Sequence, residues 1–219
     1  MRQRSMGAFH DLKSDFRIVR PQHFRMPGQA RACCPTMTTL LTPRLRLVPL
    51  DDSHFDALHR LNSDPVVMRY ITGQPDTPED TQAMIDRVKA RWAEFGYSWW
   101  AFVRRDNDDL IGTGCIQHLN RDPAGPLETG WRLRQDAWGQ GYASEAARHM
   151  VGWAFRTLKP ELICAVCQPE NTPSSAVMEK LGMRFVGLGR WYDMDCRRYD
   201  VTASEWAASA ARARADAEA

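Results

Sequence analysis

The chain has 219 residues, 43% hydrophobic and 10% aromatic, enough for one good core and too few for two, so one principal domain is expected. Its formal net charge of +2 is unevenly spread: residues 1–36 hold Arg2, Arg4, Lys13, Arg17, Arg20, Arg25 and Arg31 against Asp11 and Asp15, which leaves 22 basic and 25 acidic residues beyond them and argues against a nucleic-acid partner. Six cysteines in a chain this long make no disulfide framework, and no apolar run approaches a membrane span or a signal-peptide core, so a cytoplasmic protein with no membrane partner is expected.

Residues 1–36 mix Arg, Gln, Pro and Gly with single hydrophobics and carry neither helical nor strand period. They precede Met37-Thr38-Thr39, which reads as a natural start, so the expectation is a dispensable or mis-called extension over 1–36, with an RNA-gripping basic arm as the alternative. A domain is expected over 37–206 and an alanine-rich, helical or frayed tail over 207–219. Arg44 to Leu50 alternates polar and apolar residues, as a half-buried first strand does. Asp51, Asp52 and Ser53 then cap a helix bearing Phe55, Leu58 and Leu61. Thr77-Pro78-Glu79-Asp80 opens a second helix, with the hydroxyl as cap and proline in the first turn; its apolar stripe is Met84, Ile85, Val88, Trp92 and Phe95.

Three strand-like runs follow, Ser98 to Arg105, Leu110 to Leu119 and Leu127 to Arg134, joined by short connectors rich in Asp, Asn, Pro and Gly. Connectors of that kind join antiparallel neighbours. Next comes Trp138-Gly139-Gln140-Gly141-Tyr142-Ala143-Ser144-Glu145, and behind it Ala143, Ala146, Ala147, Met150, Val151, Ala154, Phe155 and Leu158 recur at helical spacing. Two glycines before a first helical turn leave backbone N–H groups unshielded at the positive end of the helix dipole, a site suited to a diphosphate. A dinucleotide fold is the rival, with Glu161 at the distance of a ribose-binding acid, but that fold places its glycine turn after the first strand of a parallel array and not after a meander.

The helix crosses to an apolar run, Leu162 to Val166, which should make the one parallel pairing. Cys164 and Cys167 form a CxxC in this run, but buried strand positions three apart face opposite ways, which disfavours a redox or metal role; no metal site is expected. Thr172 is expected to cap a short helix with Pro173 at its first position, closed by Gly182; Phe185 to Trp191 and Arg197 to Val201 read as a final strand pair. The expected fold is α/β: a mostly antiparallel twisted mixed sheet with one parallel crossover and helices on both faces.

Four segments in this order resemble the GNAT superfamily of N-acetyltransferases, in the branch that includes the RimJ and RimL ribosomal-protein N-terminal acetyltransferases. They are Thr42-Pro43-Arg44-Leu45-Arg46-Leu47, Ala137 to Ala146, Asn171-x-x-Ser174-x-x-Val177-x-Glu179-Lys180-Leu181-Gly182-Met183, and Tyr199 to Trp206. Trp138 stands where the general signature has Gln or Arg, as is common in that branch. The resemblance implies a GNAT-like fold and acetyl-CoA as acyl donor. It assigns the pyrophosphate to Gly139, Gln140, Gly141, Tyr142, Ala143 and Ser144, and the pantetheine arm to backbone groups of Trp131, Arg132 and Leu133 with help from Asn171.

The implied reaction is attack of a primary amine on the acetyl thioester, and the amine must first be neutral. An α-amine of pKa about 8 needs less help than a lysine of about 10.4. Glu128 is the candidate base, with a solvated edge acid as the plainer reading. Ser174 is the candidate proton donor to the leaving thiolate, with helix capping as its plainer reading; Met178 replaces the tyrosine that many GNAT enzymes use there. Trp92, Phe95, Tyr97, Trp99 and Trp100 read as core packing before they read as an acceptor wall, and His118 as a satisfied histidine before a proton relay. The expected acceptor is a protein N-terminus, alternatively a small-molecule amine, and the expected state a monomer or homodimer. A CoA-binding regulatory module without turnover is the reading from another class.

Overall fold

The structure, a computed structural model, describes residues 37–218; the expectations placed on residues 1–36 lie outside the described residues. Its elements in chain order are β1 (Leu40–Leu41), β2 (Leu45–Pro49), α1 (Phe55–Asn62), α2 (Pro65–Met68), α3 (Pro78–Phe95), β3 (Trp99–Arg104), β4 (Leu110–His118), β5 (Leu127–Leu133), α4 (Tyr142–Thr157), β6 (Leu162–Cys167), α5 (Thr172–Lys180), β7 (Arg184–Trp191), β8 (Met194–Thr202) and α6 (Ala203–Glu218). The strands form one eight-stranded sheet among the described residues, in the order β1-β2-β3-β4-β5-β6-β8-β7. Only β5 and β6 pair in parallel, as expected of a chain that crosses over through α4. Two elements were not expected: β1 and α2 span two and four residues, too short to show a period.

Helices cover both faces. On one, α3 approaches β4 and β5, where Arg91 hydrogen-bonds Gln117 and Met84 lies against Arg132. On the other, α4 packs so closely that a Cβ on Gly114 would stand 2.5 Å from Phe102 Cζ and 2.8 Å from Met150 Cε. That strand position therefore admits glycine alone. The core centres on Trp100, fully buried in β3, which meets Trp92 edge-on at 5.0 Å and Trp153 at 5.4 Å; pairs of this kind add about 1 kcal/mol each beyond the area they bury.

The start of α3 is as expected: Thr77 Oγ1 accepts from the Asp80 amide at 3.1 Å while Asp80 accepts from the Thr77 amide at 3.0 Å, and Gly96 ends the helix at φ 75°. The start of α5 differs. Asn171 caps it, its Oδ1 accepting from the Ser174 amide at 3.3 Å, and Thr172 is already helical. An asparagine side chain reaches the third amide with its own backbone outside the helix, so it outcompetes the threonine that follows.

Candidate active site

The parallel strands β5 and β6 pair at only two positions, Leu127 with Ile163 and Glu128 with Cys164, and then part. From Thr129 onward β5 keeps its partner β4 on one side and loses β6 on the other. A cleft of about 790 Å³ opens there, bounded by α2, α3, the middle of the sheet, the start of α5 and the β7–β8 turn. Of the residues singled out in the sequence, Glu128, Trp131, Arg132, Asn171 and Ser174 line it, as does Met178. Leu133 and the glycine turn, residues 139–144, do not line this cleft.

Glu128 is not a solvated edge acid: it sits mid-sheet and is 5% exposed. Tyr192, in the tight turn between β7 and β8, donates its phenol proton to Glu128 Oε2, and Gln117, opposite Glu128 across β4–β5, donates to the same oxygen at 3.4 Å. Burial pushes the carboxyl up to about 7; the Tyr192 and Gln117 hydrogen bonds and the charge of Arg121 oppose that rise. A buried carboxyl that titrates near neutrality is suited to taking a proton from an amine.

Tyr192 was not visible as a site residue in the sequence. Its phenol oxygen also accepts from the Asn120 amide at 3.0 Å, and Asn120 Oδ1 accepts from the Tyr192 amide at 2.9 Å. Both residues hold left-handed backbone, at φ 54° and 55°, strain that the paired hydrogen bonds offset. Tyr192 is therefore a positioning residue for the carboxylate. In Tyr192→Phe the carboxyl loses the donor that favours its ionised form, so its pKa should rise further and the acid limb of a pH–rate profile should move to higher pH. An unmoved limb in stopped-time assays across pH 5–9 would remove Tyr192 from this role.

The glycine turn is built from backbone. Gly139 and Gly141 take φ of 71° and 81°, and Gly141 forms the N-cap of α4 without a side-chain cap. The first bond into the helix runs from the Glu145 amide to the Gly141 carbonyl, and the amides of residues 139–144 have no protein acceptor among the described residues. Six consecutive unpaired N–H groups at a helix N-terminus fit a diphosphate. The opening Thr42-Pro43-Arg44 secures this turn: Thr42 and Arg44 both bond Glu145, at 2.6 Å, and Arg44 Nη1 donates to the Gln140 carbonyl at 2.9 Å. Trp138, half exposed, donates its indole N–H to the Leu133 carbonyl at 2.8 Å, which ties the end of β5 to the turn and commits that carbonyl.

The remaining residues sort by their contacts. Ser174 Oγ makes no hydrogen bond among the described residues and faces the cleft, while its amide is the one that Asn171 caps. His118 is satisfied at both nitrogens, by the Gly125 carbonyl and the Tyr97 hydroxyl, each at 3.1 Å, so it has no free site for a relay. The aromatic group divides: Trp92 and Trp100 are core, and Trp99 alone of the five lines the cleft. Cys164 and Cys167 are buried free thiols, and Cys167 contacts Ser175 at 3.4 Å. No described helix is long and apolar enough to cross a membrane.

A model of the acetyltransferase (GNAT) domain matches residues 44–184. The chain is 32% identical to the uncharacterized N-acetyltransferase YnaD of Bacillus subtilis, over 76% of this chain and 98% of that one. It is 30% identical to the FsC-acetyl coenzyme A-N(2)-transacetylase of Aspergillus fumigatus, over 77% of each. Among solved structures, an acetyltransferase from Agrobacterium tumefaciens superposes with a TM-score of 0.67 at 29% identity, covering 76% of this chain and 95% of that one.

Proposed function

The chain belongs to the GNAT acetyltransferase family, and on that premise we propose that it acetylates a primary α-amine from acetyl-CoA, with Glu128 as the base. The observation that carries this reading is the buried carboxyl of Glu128, raised to about 7 and aimed into the cleft beside the parted strands. An α-amine of pKa about 8 can hand its proton to such a group almost isoenergetically, whereas a lysine of about 10.4 would pay several kcal/mol.

Acetyl-CoA, when bound, supplies the acetyl thioester. The amides of residues 139–144 hold its diphosphate, and the free edge of β5 at Trp131 faces the pantetheine arm. Arg132, expected there by its backbone, pairs with Thr113 and turns its N–H and C=O to β4, and Leu133 contributes its amide side only, since Trp138 holds its carbonyl. Asn171 offers its amide nitrogen, the oxygen being spent on the α5 cap. Ser174, its hydroxyl unengaged, is the donor for the departing thiolate, and Met178 one turn on brings no proton of its own.

The acceptor implied by the RimJ/RimL-like resemblance is a protein N-terminus in the cytoplasm. A small-molecule amine is the second reading. It is favoured by a cleft volume of about 790 Å³, inside the usual range for small-ligand pockets. Differential thermal unfolding tests the donor: at about 100 times its dissociation constant, acetyl-CoA should add roughly 2.7 kcal/mol of stability and NADPH none. A shift with NADPH alone would overturn the assignment.

A further inference from the structure

Four arginines face the cleft: Arg87 and Arg91 from α3, Arg121 from the turn after β4, and Arg132 from β5. None makes an ion pair among the described residues. Elsewhere some arginines are clasped, Arg134 to Asp109 at 2.7 Å, Arg198 to Asp200 at 2.7 Å and Arg44 to Glu145 at 2.6 Å, while others, such as Arg105 and Arg148, donate to backbone carbonyls at 2.9 and 2.8 Å. What marks the cleft is that four arginine side chains line it together.

Arg132 is the strongest case. Only 8% of it is exposed, its Nη2 touches the thioether sulfur of Met84 at 2.8 Å, and its guanidinium lies 5.2 Å from the centre of the Trp99 ring. Its Nε has no hydrogen-bond partner among the described residues. A buried guanidinium left this way is costly, and the cost falls when an anion supplies the missing acceptors. Of the four carboxylates in the same cleft, none makes an ion pair with these arginines; Asp193 lines it without a side-chain hydrogen bond among the described residues, and the charge of Asp76 favours the ionised forms of Arg132 and Arg87 from a distance. Asp76 bonds Asn62 at 3.0 Å, Asp80 caps α3, and Glu128 holds Tyr192. Arg87 has its basicity lowered by burial and then by the charges of Arg121 and Arg91, against which the charges of Asp76 and Asp80 act more weakly, so net crowding among the three cations remains.

The cluster lies close to the base. Arg91 donates to Gln117 Oε1 at 3.0 Å, and the other end of that same side chain reaches Glu128 at 3.4 Å. Arg121 stands 5.7 Å from the centre of the Tyr192 ring, beside the phenol that holds Glu128. An anion seated on the arginines would thus be one side chain away from the proton acceptor. The glycine turn with its own six amides lies outside this cleft, so the donor's diphosphate does not account for the cluster.

We propose that the acceptor carries a carboxylate near its amine, read by Arg132, Arg91, Arg87 and Arg121 while the amine faces Glu128. Guanidinium groups bind carboxylates through paired, charge-assisted N–H donors. The carboxylate belongs either to a free α-amino acid or to an acidic side chain near a peptide N-terminus. This rests on the reading of the cleft as the acceptor side of an acetyltransferase.

The test measures thiol release by the full chain at saturating acetyl-CoA with two matched pairs of acceptors: leucine against leucinamide, and the peptide amide Ala-Glu-Gly against Ala-Gln-Gly. In at least one pair the acid-bearing member should show kcat/KM about tenfold or more above its neutral mate, and which pair does so names the source of the carboxylate. In Arg87→Gln and Arg121→Gln that ratio should fall towards one through the KM of the acid member; both side chains are surface-accessible, and circular dichroism checks their folding. Transfer to all four acceptors with ratios at or below one would overturn the carboxylate preference and leave the acetyltransferase reading standing. Binding of acetyl-CoA with no transfer to any of the four would overturn both.

Discussion

Glu128→Gln should lower kcat/KM for an α-amine at pH 7 by about 10²–10³-fold while leaving acetyl-CoA affinity unchanged, because it removes a proton acceptor and keeps the shape. The pH dependence carries the sharper signature. The carboxyl is raised to about 7, and only its ionised form accepts a proton, so wild-type activity should fall as pH drops through 7. At pH 9 and above the amine is already neutral, and the deficit of the variant should narrow. Stability should move the other way. A folded-state pKa of about 7 against an ordinary value of 4.5 means that the folded protein binds the proton more tightly, so this group's contribution is fully favourable below 4.5 and is lost as pH rises to 7. Chemical denaturation should therefore find the variant at least as stable as wild type at pH 8, which separates lost catalysis from lost folding. Equal rates for the two proteins across pH 6–9 would strike Glu128 from the mechanism.

What could be read in advance was local. The alternation of Leu45 and Leu47, the Thr77-Pro78 helix start and the glycines before Tyr142 each declare themselves within a few neighbours, and the structure places strand, capped helix and open amides there. The order of short polar connectors was enough to choose an antiparallel meander over a parallel array. What could not be read was pairing across distance. Tyr192 reaches Glu128 over 64 positions, and Thr42 reaches Glu145 over 103; no period or motif encodes either contact. For the same reason nothing in the sequence singled out Arg87, Arg91 and Arg121 as neighbours in one cleft. Arg132 was expected to act through its backbone, yet its side chain, turned to the same face as Glu128, carries a buried donor without a partner among the described residues. The identity of the α5 cap was missed at finer grain: Asn171 and Thr172 are both good caps, and only the backbone conformation chooses between them.

Gly141→Val should raise the dissociation constant for acetyl-CoA by on the order of 100-fold or more, since loss of two charge-assisted hydrogen bonds of about 1.5–3 kcal/mol each would more than suffice. Space is not the obstacle in the free protein. A Cβ at Gly141 would meet only Arg44 Nη2, at 3.5 Å, an ordinary contact. The obstacle is torsion. A β-branched residue at φ 81° costs about 1–2 kcal/mol, and the turn can shed that strain only by rotating the peptide units that aim the amides of Tyr142, Ala143 and Ser144 outward. The added methyls then stand over the same N–H groups that the diphosphate must approach. Ser144→Ala is the contrast, because it removes a hydroxyl and keeps every amide; its effect should stay within about threefold if the backbone makes the site. Isothermal titration of the two variants decides the matter: tight binding by Gly141→Val would place the diphosphate elsewhere, and a large loss in Ser144→Ala would give the hydroxyl the role assigned here to the backbone.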